Sequence, residues 1–417
     1  MIGKGKKVPE SLLEIFAQNP EYSAKLDSLI NAKDKVPFKI FDKKNAEKLF
    51  GKNLNISASQ LEKFNLCRFS YFCNYGLNVR ERQRAEINSM QYGTIVHYIL
   101  ERFFGEYTKE EYLSLEEDKF QKIVCAYLAE YAVKYFGEEQ LESNSFTYRL
   151  KTILDNVMYL MKHIMEELSQ SEFFVADCEL KIGEDIPSYT IVLPDGHKIA
   201  VCGSVDRVDI MQRADITYLR IIDYKTGTKQ FKLSDILYGI NLQMLLYLHS
   251  IEVSGGDKYG EIVPAGILYM PATVPYISSD SLKSIDKLPD ELNKKLKMNG
   301  LLLKDTEIIH GMDKTDAATY IPVKIKAGEP VSSTSLATLA EFGKIFKKVD
   351  MLIAEMGKNI YNGNIEAKPL KGGHDSCEYC PYDSVCAYRQ SNPITCFSVD
   401  NKTVIEEITN EINGKEE

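Results

Sequence analysis

The sequence predicts an α/β fold, and three observations carry that expectation. Between Phe173 and Gly227, short stretches alternate apolar and polar residues and are separated by turn residues, as strands are. On either side lie segments whose apolar residues recur about every three to four positions, as in amphipathic helices. A further apolar run, VPAGILYMP at 263–271, reads as a buried strand reached through a helix.

The chain has 417 residues, 44% hydrophobic and 27% charged, an ordinary balance for a soluble globular protein. On length alone it has room for about two or three domains. The N-terminus, MIGKGKKVPESLLEIF, has no apolar signal core, and no stretch approaches about 18 to 20 apolar residues. A cytoplasmic protein without membrane contact is expected. The net charge of −9, from 51 basic and 60 acidic residues, counts against a generally adhesive nucleic-acid binder but allows a local basic groove. Candidates for that groove are Arg80, Arg82, Arg84, Lys229, Lys232, Lys368 and Lys371, each of which singly is more often a solvated charge. No G-x-x-x-x-G-K-[ST] loop occurs, so the chain carries no ATPase signature.

Residues 1 to about 53 read as short polar helices, the remnant of an upstream region. From Asn55, ISASQLEKFNLC opens a helix with Ser57 or Ser59 as N-cap, and Glu62 stands three residues beyond Ser59 to complete a capping box. A longer helix is expected over about 86–104, with Ile95, Ile99 and Phe103 along its apolar stripe. Gly93, His97 and Glu101 recur at spacing four on one side of it. A lone histidine on such a helix is usually a satisfied core residue. Residues 107–170 read as two amphipathic helices, a cap without chemistry of its own. Strands follow at FFVADCELKI, YTIVLP and HKIAVCGSVDRVDI, with Glu179 on the first.

The stretch Gly203–Gly227 reads as two strands joined by a turn at 212–215. By period-two alternation Asp206, Val208 and Ile210 share a face of the first, and Leu219, Ile221, Asp223 and Lys225 a face of the second. Two carboxylates and a lysine at neighbouring strand ends suit metal-assisted phosphodiester hydrolysis. The carboxylates would hold a hard divalent cation such as Mg²⁺, which lowers the pKa of a bound water. Lys225 would orient that water or offset charge on the phosphate. An exposed Asp–Lys pair would produce the same spacing and contribute little. Next comes a helix over 234–251 with Gln243 and Tyr247 on one face. After the strand at 263–271, residues 275–333 read as a lysine-rich insertion, and a long helix spans about 335–361.

Nine cysteines in such a chain argue for metal binding or buried thiols rather than disulfides. Cys377, Cys380 and Cys386, spaced C-x2-C-x5-C around Pro381, can meet one metal centre but need a fourth ligand. Cys67 is the obvious donor and Cys73 its rival. All-cysteine ligation suits either a [4Fe–4S] cluster or structural zinc. Residues 396–417 read as a C-terminal tail.

Gly203, Asp206 and Arg207, then Asp223, Tyr224, Lys225, Thr226 and Gly227, then Gln243 and Tyr247, resemble the nuclease domain of the RecB/AddB branch of the PD-(D/E)XK superfamily. There the pattern runs G-x-x-D-R, D-Y-K-T-G, Q-x-x-x-Y. The segment around Cys67 and the C-terminal cysteines resembles AddB-type nucleases with an iron–sulfur cluster, so the likeness covers about 40–395. The resemblance implies a restriction-endonuclease-like core over 54–395, a central mixed sheet flanked by helices, with helical insertions and a C-terminal Fe–S clip. It implies that His97, Asp206 and Asp223, with the Tyr224 carbonyl, bind Mg²⁺ or Mn²⁺. Lys225 would act at the water or the phosphate, Gln243 and Tyr247 would position the strand and the site, and Arg207 and Lys229 would contact DNA. Cys67, Cys377, Cys380 and Cys386 would ligate a [4Fe–4S] cluster. The family implies exonucleolytic processing of duplex ends and single strands in double-strand-break repair, in a heterodimer with an AddA-like helicase partner. Its members carry a large helicase-like region upstream that this chain lacks, so an excised C-terminal part or a truncated relative is expected. Two other functions share features with this sequence: a stand-alone CRISPR-adaptation-type Fe–S nuclease, and a non-catalytic DNA-end-binding module.

Overall fold

In the computed structural model, which describes residues 10–20, 22–23, 25, 39–40, 42–80, 89–227, 229–275, 288–315, 319–332, 334–386, 388 and 393–416, the alternating stretches pair into a six-stranded sheet. Its strands are β1 (Phe174–Ile182), β2 (Gly203–Arg213), β3 (Ile216–Lys225), β4 (Glu261–Pro271), β5 (Asn299–Leu303) and β6 (Leu336–Ala337). They lie side by side in the order β6-β5-β4-β3-β2-β1. β3 runs parallel to β4 and β6 to β5, and the remaining neighbours are antiparallel, so the sheet is mixed. Central strands such as β3, ITYLRIIDYK, are buried on both faces, which suits their near-continuous apolar and β-branched composition.

The helices that matter to the site are α1 (Ala58–Leu66), α2 (Ser89–Glu106), α3 (Glu117–Phe136), α4 (Asn144–Gln170), α5 (Gln243–Ser254), α6 (Leu339–Tyr361) and α7 (Asn401–Glu416). Helix α5 packs on β3 and β4 and against α6, while α2 packs on β1 and β3. Phe103, Phe173, Ile221, Leu268 and Phe342 lie fully buried in the apolar core between these layers. Arg82 and Arg84 lie outside the described residues.

Several boundaries differ from the sequence expectation, each for a physical reason. The capping box of α1 is Ser57 with Gln60, and Glu62 instead accepts from the Leu242 main-chain N–H at 2.8 Å. The helix expected over 234–251 is broken: a 3₁₀ turn at Leu233–Tyr238 ends at Gly239 (φ 69) and Asn241 (φ 54) before α5 begins. Left-handed backbone at those two residues stops a helix. The stretch 275–333 is no mere insertion, because it supplies β5 to the main sheet. Helix α7 gives the C-terminal tail a packed structure against α6.

Candidate active site

The antiparallel register of β2 and β3, Arg207 opposite Ile222 and Val208 opposite Ile221, brings Asp206 opposite Asp223 one step further on. The register of β1 and β2, Cys178 opposite Arg207 and Leu180 opposite Val205, places Glu179 opposite Asp206. Three carboxylates therefore stand in a row across three neighbouring strands. Glu179 holds a left-handed backbone, φ 50, inside its strand. A non-glycine residue seldom adopts that conformation, and such strain gathers at functional sites.

Helix α2 adds His97. Its Nδ1 lies 2.9 Å from Glu179 Oε1 and its Nε2 lies 3.6 Å from Asp206 Oδ2. One ligand atom from each of His97, Glu179 and Asp206 lies within 4.8 Å of the others, the spacing a single metal ion needs. Ser204 donates to Glu179 Oε2 at 2.8 Å, and the Tyr224 main-chain N–H donates to Asp206 Oδ2 at 2.9 Å. The other carboxylate is held from α5, where Gln243 Nε2 donates to Asp223 Oδ1 at 3.0 Å. Lys225 Nζ sits 2.5 Å from Asp223 Oδ2. That contact is an ion pair without hydrogen-bond alignment, so the buried Oδ2 keeps a lone pair uncommitted. A divalent cation suits this donor set of imidazole, carboxylates and a buried carboxylate oxygen.

The electrostatics reflect carboxylates crowded out of water. Burial, then the charge of Asp223, raises Asp206 to about 7. Burial alone would lower His97, but the Glu179 hydrogen bond and the charges of Asp206, Glu179 and Asp223 outweigh it and raise the imidazole to about 9. Burial works to raise Glu179, yet the hydrogen bonds from His97 and Ser204 leave it lowered. The group would therefore hold protons that a cation must displace.

Glycine at 203 is required by α5. A Cβ there would collide with the Tyr247 hydroxyl and ring, so this glycine lets the Tyr247 phenol seat the helix against the sheet. Tyr247 is only 6% exposed, and burial pushes its hydroxyl up to about 12, which gives it a positioning role and no reach to a DNA strand. Arg207 is a clear correction. It neighbours Asp206 in sequence, so alternation turns it to the opposite face, where it is fully buried. There Arg207 and Arg220 pair with Asp209 and Glu167, and Arg207 also donates to the Tyr224 hydroxyl at 3.3 Å. It does not contact DNA. Lys229 does line the open cleft beside Lys225, with its Nζ 5.1 Å from the Tyr269 ring centre, and burial lowers its pKa. Lys371 lies away from that cleft, paired with Asp375 beside Cys377.

The residue left undecided by the sequence is Glu179. Its strand pattern does not distinguish it from a surface glutamate, and only the pairing of β1 with β2 places it beside Asp206.

The cysteines also converge. Cys67 and Cys73 pack with Phe69 and Tyr382 in a small buried cluster flanked by Cys380 and Cys386. Burial raises the Cys67 and Cys386 thiols, and each also lies within electrostatic reach of Cys377 and Cys380. Donors separated by most of the chain thus meet at one place, which fits an all-thiolate metal group. Cys73 belongs to the same neighbourhood.

A mixed sheet carrying aligned acidic residues and a lysine on adjacent strands defines a class of metal-site nucleases. The chain belongs to the PD-(D/E)XK nuclease superfamily, whose family model matches residues 55–387. Among named relatives it is similar to the AddB-type component of the ATP-dependent helicase/deoxyribonuclease of Clostridium kluyveri, 35% identical over 394 residues, covering 90% of this chain and 34% of that protein. The protein of the same name from Ruminiclostridium cellulolyticum is 32% identical over 419 residues, covering 96% of this chain and 36% of the relative. That from Thermoanaerobacter sp. is 34% identical over 354 residues, covering 82% and 30%. The chain thus spans about a third of the length of these curated relatives. No helix among the described residues is long and apolar enough to cross a membrane.

Proposed function

We propose that this chain is a divalent-metal-dependent deoxyribonuclease, the nuclease portion of an AddAB-type helicase/deoxyribonuclease. In this reading it degrades one DNA strand as an exonuclease while double-strand-break ends are processed for recombinational repair. The observation that carries the reading is the row Glu179, Asp206, Asp223 on adjacent strands with His97 beside it. His97, Glu179, Asp206 and Asp223 would hold Mg²⁺ or Mn²⁺, with the Tyr224 carbonyl as a further oxygen. When bound, such a cation supplies an acidified water and offsets charge developing on the phosphate. Lys225 places its ammonium beside Asp223, where it meets the attacking water or a phosphate oxygen. Gln243 fixes the orientation of Asp223. Tyr247 fixes α5, and Lys229 supplies cleft charge for the DNA backbone.

Cys67, Cys377, Cys380 and Cys386 would hold a [4Fe–4S] cluster that fastens the C-terminal region to the segment after α1. The names of the relatives support a partner: an AddA-like helicase in a cytoplasmic heterodimer, acting on duplex ends and single strands. The test is incubation of the chain with end-labelled linear duplex and single-stranded DNA in Mg²⁺, Mn²⁺ or chelator. Degradation that depends on the metal supports the reading. DNA left intact under every metal condition refutes it in favour of a non-catalytic end-binding module.

A further inference from the structure

The cleft that opens onto the carboxylate row has a volume of about 910 Å³ and extends away from the metal-site residues to the side of α3. Its floor carries Lys181, Lys225 and Lys229, and its far wall is aromatic. That wall is ordered. Tyr98 of α2 lies 5.2 Å from Tyr131 of α3, centre to centre, and Tyr131 lies 4.4 Å from Tyr135 at an interplanar angle of 33°. The inner two rings are anchored: the Tyr98 hydroxyl donates to Glu130 at 2.8 Å, and Tyr131 is 5% exposed. Tyr135 at the end of the ladder is 56% exposed, with Lys134 Nζ 5.2 Å from its ring centre.

An exposed ring backed by buried rings, at the mouth of a lysine-floored cleft, is costly to leave in water and suited to stacking. We propose that Tyr135, supported by Tyr131 and Tyr98, is a stacking platform that holds an unpaired DNA base on the strand entering the site. The inference rests on the nuclease reading of that site and adds what it recognises: single-stranded DNA, through the base faces as well as the phosphates. Aromatic stacking accepts any base, which suits an enzyme that must travel along arbitrary sequence. A paired duplex keeps its base faces covered and would not engage the ladder. The helices between 107 and 170 then contribute part of the substrate path.

The test compares two oligonucleotides of equal length and charge, one oligo-dT and one abasic, by fluorescence anisotropy with chelator present so that no cleavage occurs. The full chain is expected to bind oligo-dT about tenfold more tightly than the abasic strand. Tyr135→Ala is expected to erase that difference, and Tyr135→Phe to retain it, since the ring and not the hydroxyl stacks. Equal binding of both strands by the unsubstituted chain, or discrimination surviving in Tyr135→Ala, overturns the proposal. Metal-dependent cleavage is assayed separately on the same preparation. Cleavage without base discrimination removes the platform and leaves the nuclease, whereas discrimination without cleavage does the reverse.

Discussion

His97 Nδ1 lies 2.9 Å from Glu179 Oε1, tying α2 to β1 across the candidate metal site. The contact makes Glu179 either a ligand itself or the group that orients the histidine, and either role predicts the same loss. Glu179→Gln is expected to weaken Mn²⁺ binding by about tenfold or more. Isothermal titration with Mn²⁺ checks this, and unchanged affinity would remove Glu179 from the site.

Gln243 is the only side-chain hydrogen-bond donor to Asp223 among the described residues. Gln243→Ala is expected to slow DNA cleavage by about ten- to a hundredfold, the usual cost of losing a group that orients a ligand. Circular dichroism should be unchanged. Equal rates for both proteins would show that Lys225 alone positions the carboxylate.

Arg207 sits in a fully buried four-charge group with Glu167, Asp209 and Arg220. Removing one partner strands the others in the core. Arg207→Ala is therefore expected to cost about 3–5 kcal/mol of stability by urea denaturation. The affinity of the folded variant for DNA should stay the same. A stable variant with weakened DNA binding would restore the groove role that the sequence suggested.

His249 lies far along α5 from the site and bonds Asp350 at 3.1 Å and Glu252 at 3.3 Å. Burial would lower its pKa, but those two carboxylates raise it to about 9, above the free value of 6.5. A pKa raised by folding stabilises the protein fully below about pH 6.5, and the contribution is lost as pH rises through about 9. Its size is on the order of 1–3 kcal/mol. Melting temperature should therefore fall between pH 7 and pH 9 in the native chain and fall less in His249→Gln.

Anaerobically purified protein is expected to contain about four irons and matching sulfide per chain. Cys67→Ser and Cys377→Ser should lose them, and Cys125→Ser should not. Loss of iron in Cys73→Ser with retention in Cys67→Ser would exchange the fourth ligand. One zinc per chain without iron would replace the cluster by a structural zinc site.

What the sequence revealed followed short-range rules. Period-two alternation put Asp223 and Lys225 on one face, and helical spacing put Gln243 beside Tyr247. The same alternation, applied to Asp206 and Arg207, would have turned Arg207 inward, because adjacent strand residues face opposite ways. Long-range pairing was not legible. Glu179 joins the site only through the β1–β2 register, and β5 joins the sheet from a stretch that reads as polar insertion. The break before α5 rests on left-handed Gly239 and Asn241, which no periodicity marks. Tyr135 lay hidden for another reason: an exposed aromatic on an amphipathic helix has meaning only once the cleft beside it is known.

The most direct test of the account is Asp223→Ala assayed on linear DNA in Mg²⁺ and in Mn²⁺, beside the unsubstituted chain, with fold and iron content measured on both. The account predicts a folded, iron-replete variant whose cleavage falls by several orders of magnitude, on the scale of losing a metal-holding catalytic group. A folded variant that still cleaves at the original rate would contradict it.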